Sequence, residues 1–287
     1  MSAGLAVAVV VLALVVGARP AMGADYRGPL IDAHSHLPNP AAIEAYVAAM
    51  KRHDVTRVVL LGVGAVQKDD AAWIGSALRK HGERVVAGLP LPDPMSAAAA
   101  SRLDAEAAKG VARAIGEVHI RQVSRKIERD PADPAFIRVL EVAARHRLPV
   151  VIHAELDEPT TSGLERALRA VSTATIVLAH GGGGPPDRLG RLLQTHRNLM
   201  VDLSGMHFER TPALATEAGP LDLAWKALIE AHPDRFVMGI DVWAPRLLEP
   251  SMLDRLMRWT RRVLGELEPG VAMRVAHGNA TALFRMK

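Results

Sequence analysis

Five short apolar runs of this chain end in residues that can hold a metal ion. They deliver Asp32-Ala33-His34-Ser35-His36, Gly116-Glu117-Val118-His119, His153-Ala154-Glu155, Ala179-His180-Gly181 and Gly239-Ile240-Asp241. His34, His36, His153 and His180, with Glu117 and Asp241, make a set of borderline and hard donors that suits Zn²⁺, Mn²⁺ or Fe²⁺. One HxH pair is a weak signal. A lone strand-end histidine is more often a hydrogen-bonded core residue, and a lone strand-end Asp often caps the next helix. The coincidence at five run ends makes a metal centre the better reading. Alternate residues of a strand share a face, so His34 and His36 point the same way. Asp32 and Glu155 fall in register with ligands on their own strands. They are candidate acceptors for imidazole N–H groups, or else ordinary interior polar contacts.

Five other imidazoles act as a control. His53, His81, His146, His196 and His232 all lie where a helical stretch ends, just before the next apolar run. There they meet the negative end of a helix dipole and read as structural.

The elements that must position these groups repeat along the chain. β-Branched apolar runs occupy 30–34, 57–61, 85–89, 111–117, 149–153, 175–180, 199–203 and 236–241. Between them lie Ala/Leu-rich stretches with helical spacing, as at Phe136, Val139, Leu140 and Ala143. Helix starts are marked at Asp133-Pro134, Pro185-Pro186-Asp187 and Pro250-Ser251. Continuous apolar strands alternating with helices mean a parallel sheet covered on its outer face. Eight such units predict a single-domain α/β protein, a (β/α)₈ TIM barrel over 24–287. Polar strand ends of such a barrel converge on one mouth. An open doubly wound sheet is the alternative, but no GxGxxG opens a helix after the first strand.

The first 23 residues read as an address. Leu5 to Val16 is an unbroken apolar run, too short to span a bilayer as a stable helix. With Ala21-Met22-Gly23 behind it, the run suits a secretory signal cleaved before Ala24, although the leading MSAG carries no Lys or Arg. The expected mature protein is exported, periplasmic or secreted, with no stable membrane insertion.

Composition excludes further classes. The 287 residues are 49% hydrophobic and 23% charged, which fits a globular chain and not a disordered one. The absence of cysteine removes disulfides, thiolate metal sites and a cysteine nucleophile. Aromatics at 3% are too few for the stacking platforms of single-stranded nucleic-acid binders, so no nucleic-acid partner is expected. The net charge of +4 permits an anionic partner without demanding one.

Seven stretches together carry a family likeness: IDAHSHL, AIGEVHI, PVVIHAE, IVLAHGGG, NLMVDLSG, RFVMGIDVWAP and the terminal HGNATALF. In this order, over nearly the whole mature chain, they resemble the amidohydrolase superfamily, in its amidohydrolase-related, metal-dependent hydrolase branch. The resemblance implies a metal-dependent barrel with His34 and His36 as ligands from the first strand, His153 and His180 from the fifth and sixth, and Asp241 from the eighth. Some members bridge two metals with a fourth-strand Glu or carboxylated Lys, and Glu117 stands at that position; mononuclear members lack the bridge. The branch holds hydrolases and decarboxylases.

The expected chemistry is a metal-activated water cleaving a small ester, lactone, amide or phosphoester. One or two divalent ions per chain are expected, Zn²⁺ first and Mn²⁺ or Fe²⁺ as alternatives. Asp241 is the candidate proton carrier. Decarboxylation of a small unsaturated or aromatic acid is the alternative, and a non-catalytic barrel is a third reading against which the full ligand set argues. His119, Arg121, His207, Arg210, Trp243 and Arg246 lie in loops expected to line the mouth and contact the substrate, with His119 also a candidate extra ligand. Arginines there suit a substrate carboxylate or phosphate; for each, a solvated loop charge is the bland alternative. Gly181–Gly184 reads as a tight strand-to-helix turn rather than a phosphate cradle, lacking the spacing and Lys of a P-loop. A homo-oligomer is compatible with the sequence.

Overall fold

The computed structural model describes residues 24–63, 67 and 69–286. The signal segment read from the sequence lies outside the described residues. Parallel strands β1 Leu30–Ser35, β2 Val55–Leu60, β3 Val85–Leu89, β4 Ala114–Gln122, β6 Val150–Ala154, β7 Ile176–Leu178, β8 Leu199–Asp202 and β9 Phe236–Val237 pair in that order. Backbone bonds from Ala33 N to Met238 O, Asp241 N to His34 O and His36 N to Val242 O join the first strand to the last and complete the barrel.

A helix follows each barrel strand: α1 Ala42–Arg52, α2 Asp70–Lys80, α3 Ala99–Ala107, α4 Pro134–His146, α5 Glu158–Ala170, α6 Pro186–Thr195, α7 Leu223–Ala231 and α8 Pro250–Gly265. The sequence signals for helix starts are realised as caps. Asp133 accepts the Ala135 N–H, and α4 buries the predicted stripe of Phe136, Val139, Leu140 and Ala143. Pro186 and Pro250 open α6 and α8, where a missing N–H goes unused. His53, His81, His196 and His232 are the C-caps of α1, α2, α6 and α7, and His146 ends α4. Three of them also pair with carboxylates: His53 with Asp254, His81 with Glu44 and His146 with Asp104.

Two details were not expected. Strand β4 runs on past Glu117 to Gln122, and a short antiparallel strand, β5 Ile127–Glu128, turns back on it. At the other end, α9 Pro269–Met273 leads through a π-helical turn into α10 Asn279–Leu283. Ala280 and Phe284 there pack among Ile31, Ala33, Val59, Val151 and Val237, the apolar filling of the barrel. The C-terminal tail therefore plugs one mouth, and the chemistry is left to the other. Among the described residues no helix is long and apolar enough to cross a membrane.

Candidate metal centre and active site

Strand irregularities decide which side chains face inward. Ile31 and Ala33 belong to the barrel interior, whereas Leu30 packs in the layer beneath the helices. Asp32 pairs with Val58 and Ser35 with Leu60, so three steps along β1 match two along β2. On β4, Ile115 to Val118 spans three steps against two from Val150 to Ile152 on β6. Such bulges insert one residue and re-aim the side chains beyond it. They bring His34 with His36, and Glu117 with His119, to the inner face.

Asp32 stays on the other side of its strand. It accepts the hydroxyls of Ser35 and Tyr46 and the backbone N–H groups of Ile240 and His34. It ties β1 to α1 and to the last strand, so of the two readings the sequence left open it is the interior polar contact and not an acceptor for an imidazole ring.

The imidazoles and carboxylates converge at the mouth. Glu117 is central and buried. Its Oε1 lies 3.0 Å from His153 Nδ1, 3.0 Å from His180 Nε2 and 3.9 Å from His34 Nε2. Its Oε2 lies 3.7 Å from His36 Nε2 and 3.5 Å from His119 Nε2. His34 and His36 face each other Nε2 to Nε2 at 3.1 Å, and Asp241 Oδ1 is 3.5 Å from His36 Nε2. Two of these groups sit on left-handed backbone, His180 at φ 56° and Asp241 at φ 62°. For non-glycine residues that conformation is uncommon and concentrates at functional sites.

The far side of three rings is engaged. His34 Nδ1 meets Asp202 Oδ2 at 2.5 Å, His36 Nδ1 donates to Leu61 O at 2.9 Å, and His180 Nδ1 donates to Ser204 O at 2.9 Å. An acceptor at Nδ1 orients each ring with Nε2 toward the centre, as in metal-ligating histidines. Asp202 was not among the sequence candidates. The available signal was its place at the end of the apolar run in NLMVDLSG, at the height of the ligands. Of the two acceptors suggested from register, Glu155 does approach an imidazole, with Oε1 3.7 Å from His153 Nε2.

Charge in the cluster is unbalanced. Burial works to raise the Glu117 carboxyl, yet hydrogen bonds from His119, His153 and His180 hold it well below the usual range. Burial likewise opposes ionised Asp241, but His180, His34, His36 and Arg210 keep it lowered. Burial opposes charge on His34, which the Asp202 carboxylate, helped by Glu117 and Asp241, overcomes, raising it to about 10. His36, buried beside that charge, is lowered to about 4. Ionised carboxylates among imidazole nitrogens, with no thiolate, are a donor set that fits a divalent cation. The ligand atoms fall into three close groups: His34, Glu117 and His180; His34, His36 and Asp241; and Glu117, His119 and His153.

A family model described as Amidohydrolase matches residues 9–286. The chain belongs to the amidohydrolase family. No curated protein matches it. Among solved structures, it is similar to 2,6-dihydroxybenzoate decarboxylase from Rhizobium, at 12% identity and a TM-score of 0.62, covering 91% of this chain and 99% of that one. A probable 2-pyrone-4,6-dicarboxylic acid hydrolase from Acinetobacter baumannii, with citric acid bound, gives 14% identity and a TM-score of 0.63 over 90% and 99% of the two chains. A dihydroxybenzoic acid decarboxylase from Polaromonas, with bound manganese and the inhibitor 2-nitroresorcinol, gives 14% and 0.60 over 91% and 97%. At these identities the likeness is one of fold.

In this amidohydrolase the cluster floors a cavity of ≈ 420 Å³ walled by Arg210, Trp243 and Arg246. The segment after β4 adds Gln122, Ser124 and Arg125, which sequence reasoning did not single out. An adjoining cavity of ≈ 390 Å³ shares His153, His180 and Arg210 with the first. Arg121 opens onto this second cavity, its Nη1 on Glu155 O at 2.8 Å and its Nε near Asp157 at 3.1 Å. His207 lines neither. It is buried, accepts the Glu209 N–H at Nδ1, and burial lowers it to about 4. A separate cleft of ≈ 460 Å³ between the β4–β5 hairpin and α5 is a groove of surface charges that pair with one another, as in Arg166 with Asp130.

Arg210 forms an ion pair with Asp241 Oδ2. Gly205 makes room for it. A Cβ there would lie 2.5 Å from Arg210 Nη1 and 2.6 Å from Asp241 Oδ2. The turn reading of the glycine run holds: His180, Gly181, Gly182 and Gly183 all carry positive φ, and a Cβ on Gly181 would strike Trp225 and Met206.

Proposed function

We propose that this amidohydrolase is a metal-dependent hydrolase of a small anionic ester, lactone, amide or phosphoester. The observation that carries the reading is the Glu117 carboxylate, whose two oxygens face separate sets of imidazoles in a buried cluster beside Asp241. His34, His36, His180, Asp241 and Glu117 would hold the cation, with His153 against Glu117. When bound, a divalent cation supplies Lewis-acid polarisation of a carbonyl or phosphoryl oxygen and acidifies water.

The chain's own groups do the rest. Asp241 keeps Oδ1 toward the cluster while Arg210 occupies Oδ2, so Oδ1 is the atom that takes a proton from water and returns it to the leaving group. Arg246 and Arg125 line the cavity where a substrate anion would be held, and Trp243 walls the same space from solvent. Mn²⁺ joins Zn²⁺ as the first metal to assay, because the Polaromonas relative carries manganese. The enzyme acts after export, beginning at Ala24, which the mass of the protein from the exported fraction would test.

Decarboxylation is the second reading. It is favoured by the Arg210–Asp241 ion pair, which weakens Asp241 as a base, and by the activities named for two of the relatives. The test incubates the Mn²⁺- or Zn²⁺-loaded protein with lactones and esters of small diacids and with hydroxybenzoates in H₂¹⁸O. Label in a released acid supports hydrolysis. Loss of CO₂ without label in the organic product overturns it in favour of decarboxylation.

A further inference from the structure

We propose that the barrel carries a binding site of another kind, at the mouth opposite the imidazole cluster, for a small amphipathic carboxylate with a medium-length apolar chain. A cavity of ≈ 310 Å³ opens there between α2, the starts of β3 and β4 and the C-terminal tail. That is the small end of the range for ligand pockets, about 300–1,000 Å³. Leu78, Val86, Phe284 and Met286 give it an apolar wall, and Val86 and Phe284 belong to the barrel filling itself. Val111, at the same cavity, is 57% exposed. Among the described residues no Asp or Glu lines the cavity, whereas Arg57, Arg113 and Arg285 do.

The charges come from separate segments. Arg113 immediately precedes β4, and its Nη1 is tethered to Gly110 O at 2.9 Å and Ala112 O at 3.2 Å. This fixes the guanidinium and leaves Nη2 and Nε as donors for an anion. The tail closes with Met286 N on Thr281 O at 3.0 Å and Arg285 N on Ala282 O at 3.3 Å, a Schellman ending with Arg285 at its left-handed position, φ 50°. Glycine takes that position most readily. Here it carries a guanidinium that no carboxylate pairs with among the described residues. Arg57 on β2, already engaged, adds positive charge to the same wall. His277 in the tail is lowered by burial and then by the Arg57 charge, so the positive field is felt beside the cavity. Glu83, next to the lining residue Gly82, has its Oε1 4.0 Å from Arg84 Nε. A carboxylate between Arg113 and Arg285 fastens the tail to the strand that bears Glu117, through charge-assisted hydrogen bonds. Its chain covers the apolar wall, which a bare anion would leave wet.

The test titrates octanoate into the full protein labelled with ¹³C-methyl methionine. Met286 is the local reporter, its signal assigned by its absence in Met286→Leu, and Tm is the global one. Octanoate should move the Met286 signal saturably and raise Tm, because a ligand held only by the folded state stabilises it. The response should be the same with the cluster stripped of metal or loaded with Zn²⁺. Acetate keeps the charge and 1-octanol keeps the chain; each should bind about tenfold more weakly or worse. Arg285→Gly suits the positive φ, so it keeps the fold while removing the guanidinium. It should weaken octanoate about tenfold, and Arg113→Gln should do the same. Circular dichroism checks that both are folded. Equal affinity for acetate or for 1-octanol would overturn the amphipathic ligand. An unmoved Met286 signal, a response that requires metal, or undiminished affinity in folded Arg285→Gly or Arg113→Gln would overturn the site.

Discussion

His34 Nδ1 lies 2.5 Å from Asp202 Oδ2, in a pair wholly buried between the first and seventh barrel strands. Asp202 is fixed in turn by the Ser204 N–H on its other oxygen at 2.6 Å, and Ser204 O receives His180 Nδ1. The end of β8, which offers no candidate ligand, thus orients two imidazoles that are candidates. Asp202→Asn should turn an amide N–H toward His34 Nδ1, which forces the ring to carry its proton at Nε2. Metal affinity should fall about 10–100-fold, read by titrating stripped protein with Mn²⁺. Unchanged affinity would make the pair a packing feature.

Asp241 has two separable jobs. Asparagine keeps one oxygen donor but little basicity. Asp241→Asn should retain most of its metal and lose about 10²–10⁴ in turnover per bound ion. His34→Ala should lose metal and activity together. Full turnover per bound ion in Asp241→Asn would remove Asp241 from proton transfer.

Phe284 is fully buried in the barrel filling at the plugged mouth, away from the cluster. Phe284→Ala should lower stability by about 3–5 kcal/mol, as large-to-small core changes do. Metal stoichiometry should stay that of the wild type. A chemical-denaturation midpoint within error of the wild type would show that the tail does not close the core.

Asp70 sets a pH dependence away from the centre. Burial pushes its carboxyl up from 3.8 to about 6, against the Val63 N–H that it accepts and with Asp69 adding like charge. The folded protein therefore holds the proton more tightly than the unfolded chain. The group's contribution to stability is full below about pH 4, declines as pH rises toward about 6 and is level above. Asp70→Asn keeps an oxygen for Val63. Its Tm relative to the wild type should rise between about pH 4 and about pH 7. A constant offset across that range would contradict the shift.

The alternation of apolar runs with capped helical stretches was enough to predict the barrel, because each signal is local: β-branched runs, proline at helix starts, histidine at helix ends. The same locality put His34, His36, Glu117, His153, His180 and Asp241 at one height, since parallel strands of similar length end together. Tertiary structure decided the rest. One inserted residue on β1 turns Asp32 toward Tyr46 while His34 faces the cluster, and strand alternation read from sequence has no marker for that insertion. Asp202 could not be matched to His34 along the chain, because the two are 168 residues apart and meet only when the barrel closes. His207 and Arg121 looked alike as loop donors. The folding of the long segment after β8 buried one, and the pairing of Arg121 with Asp157 drew the other to the adjoining cavity. Strand ends are fixed by neighbours in sequence, whereas loop side chains and ring partners are fixed by whatever packing brings beside them.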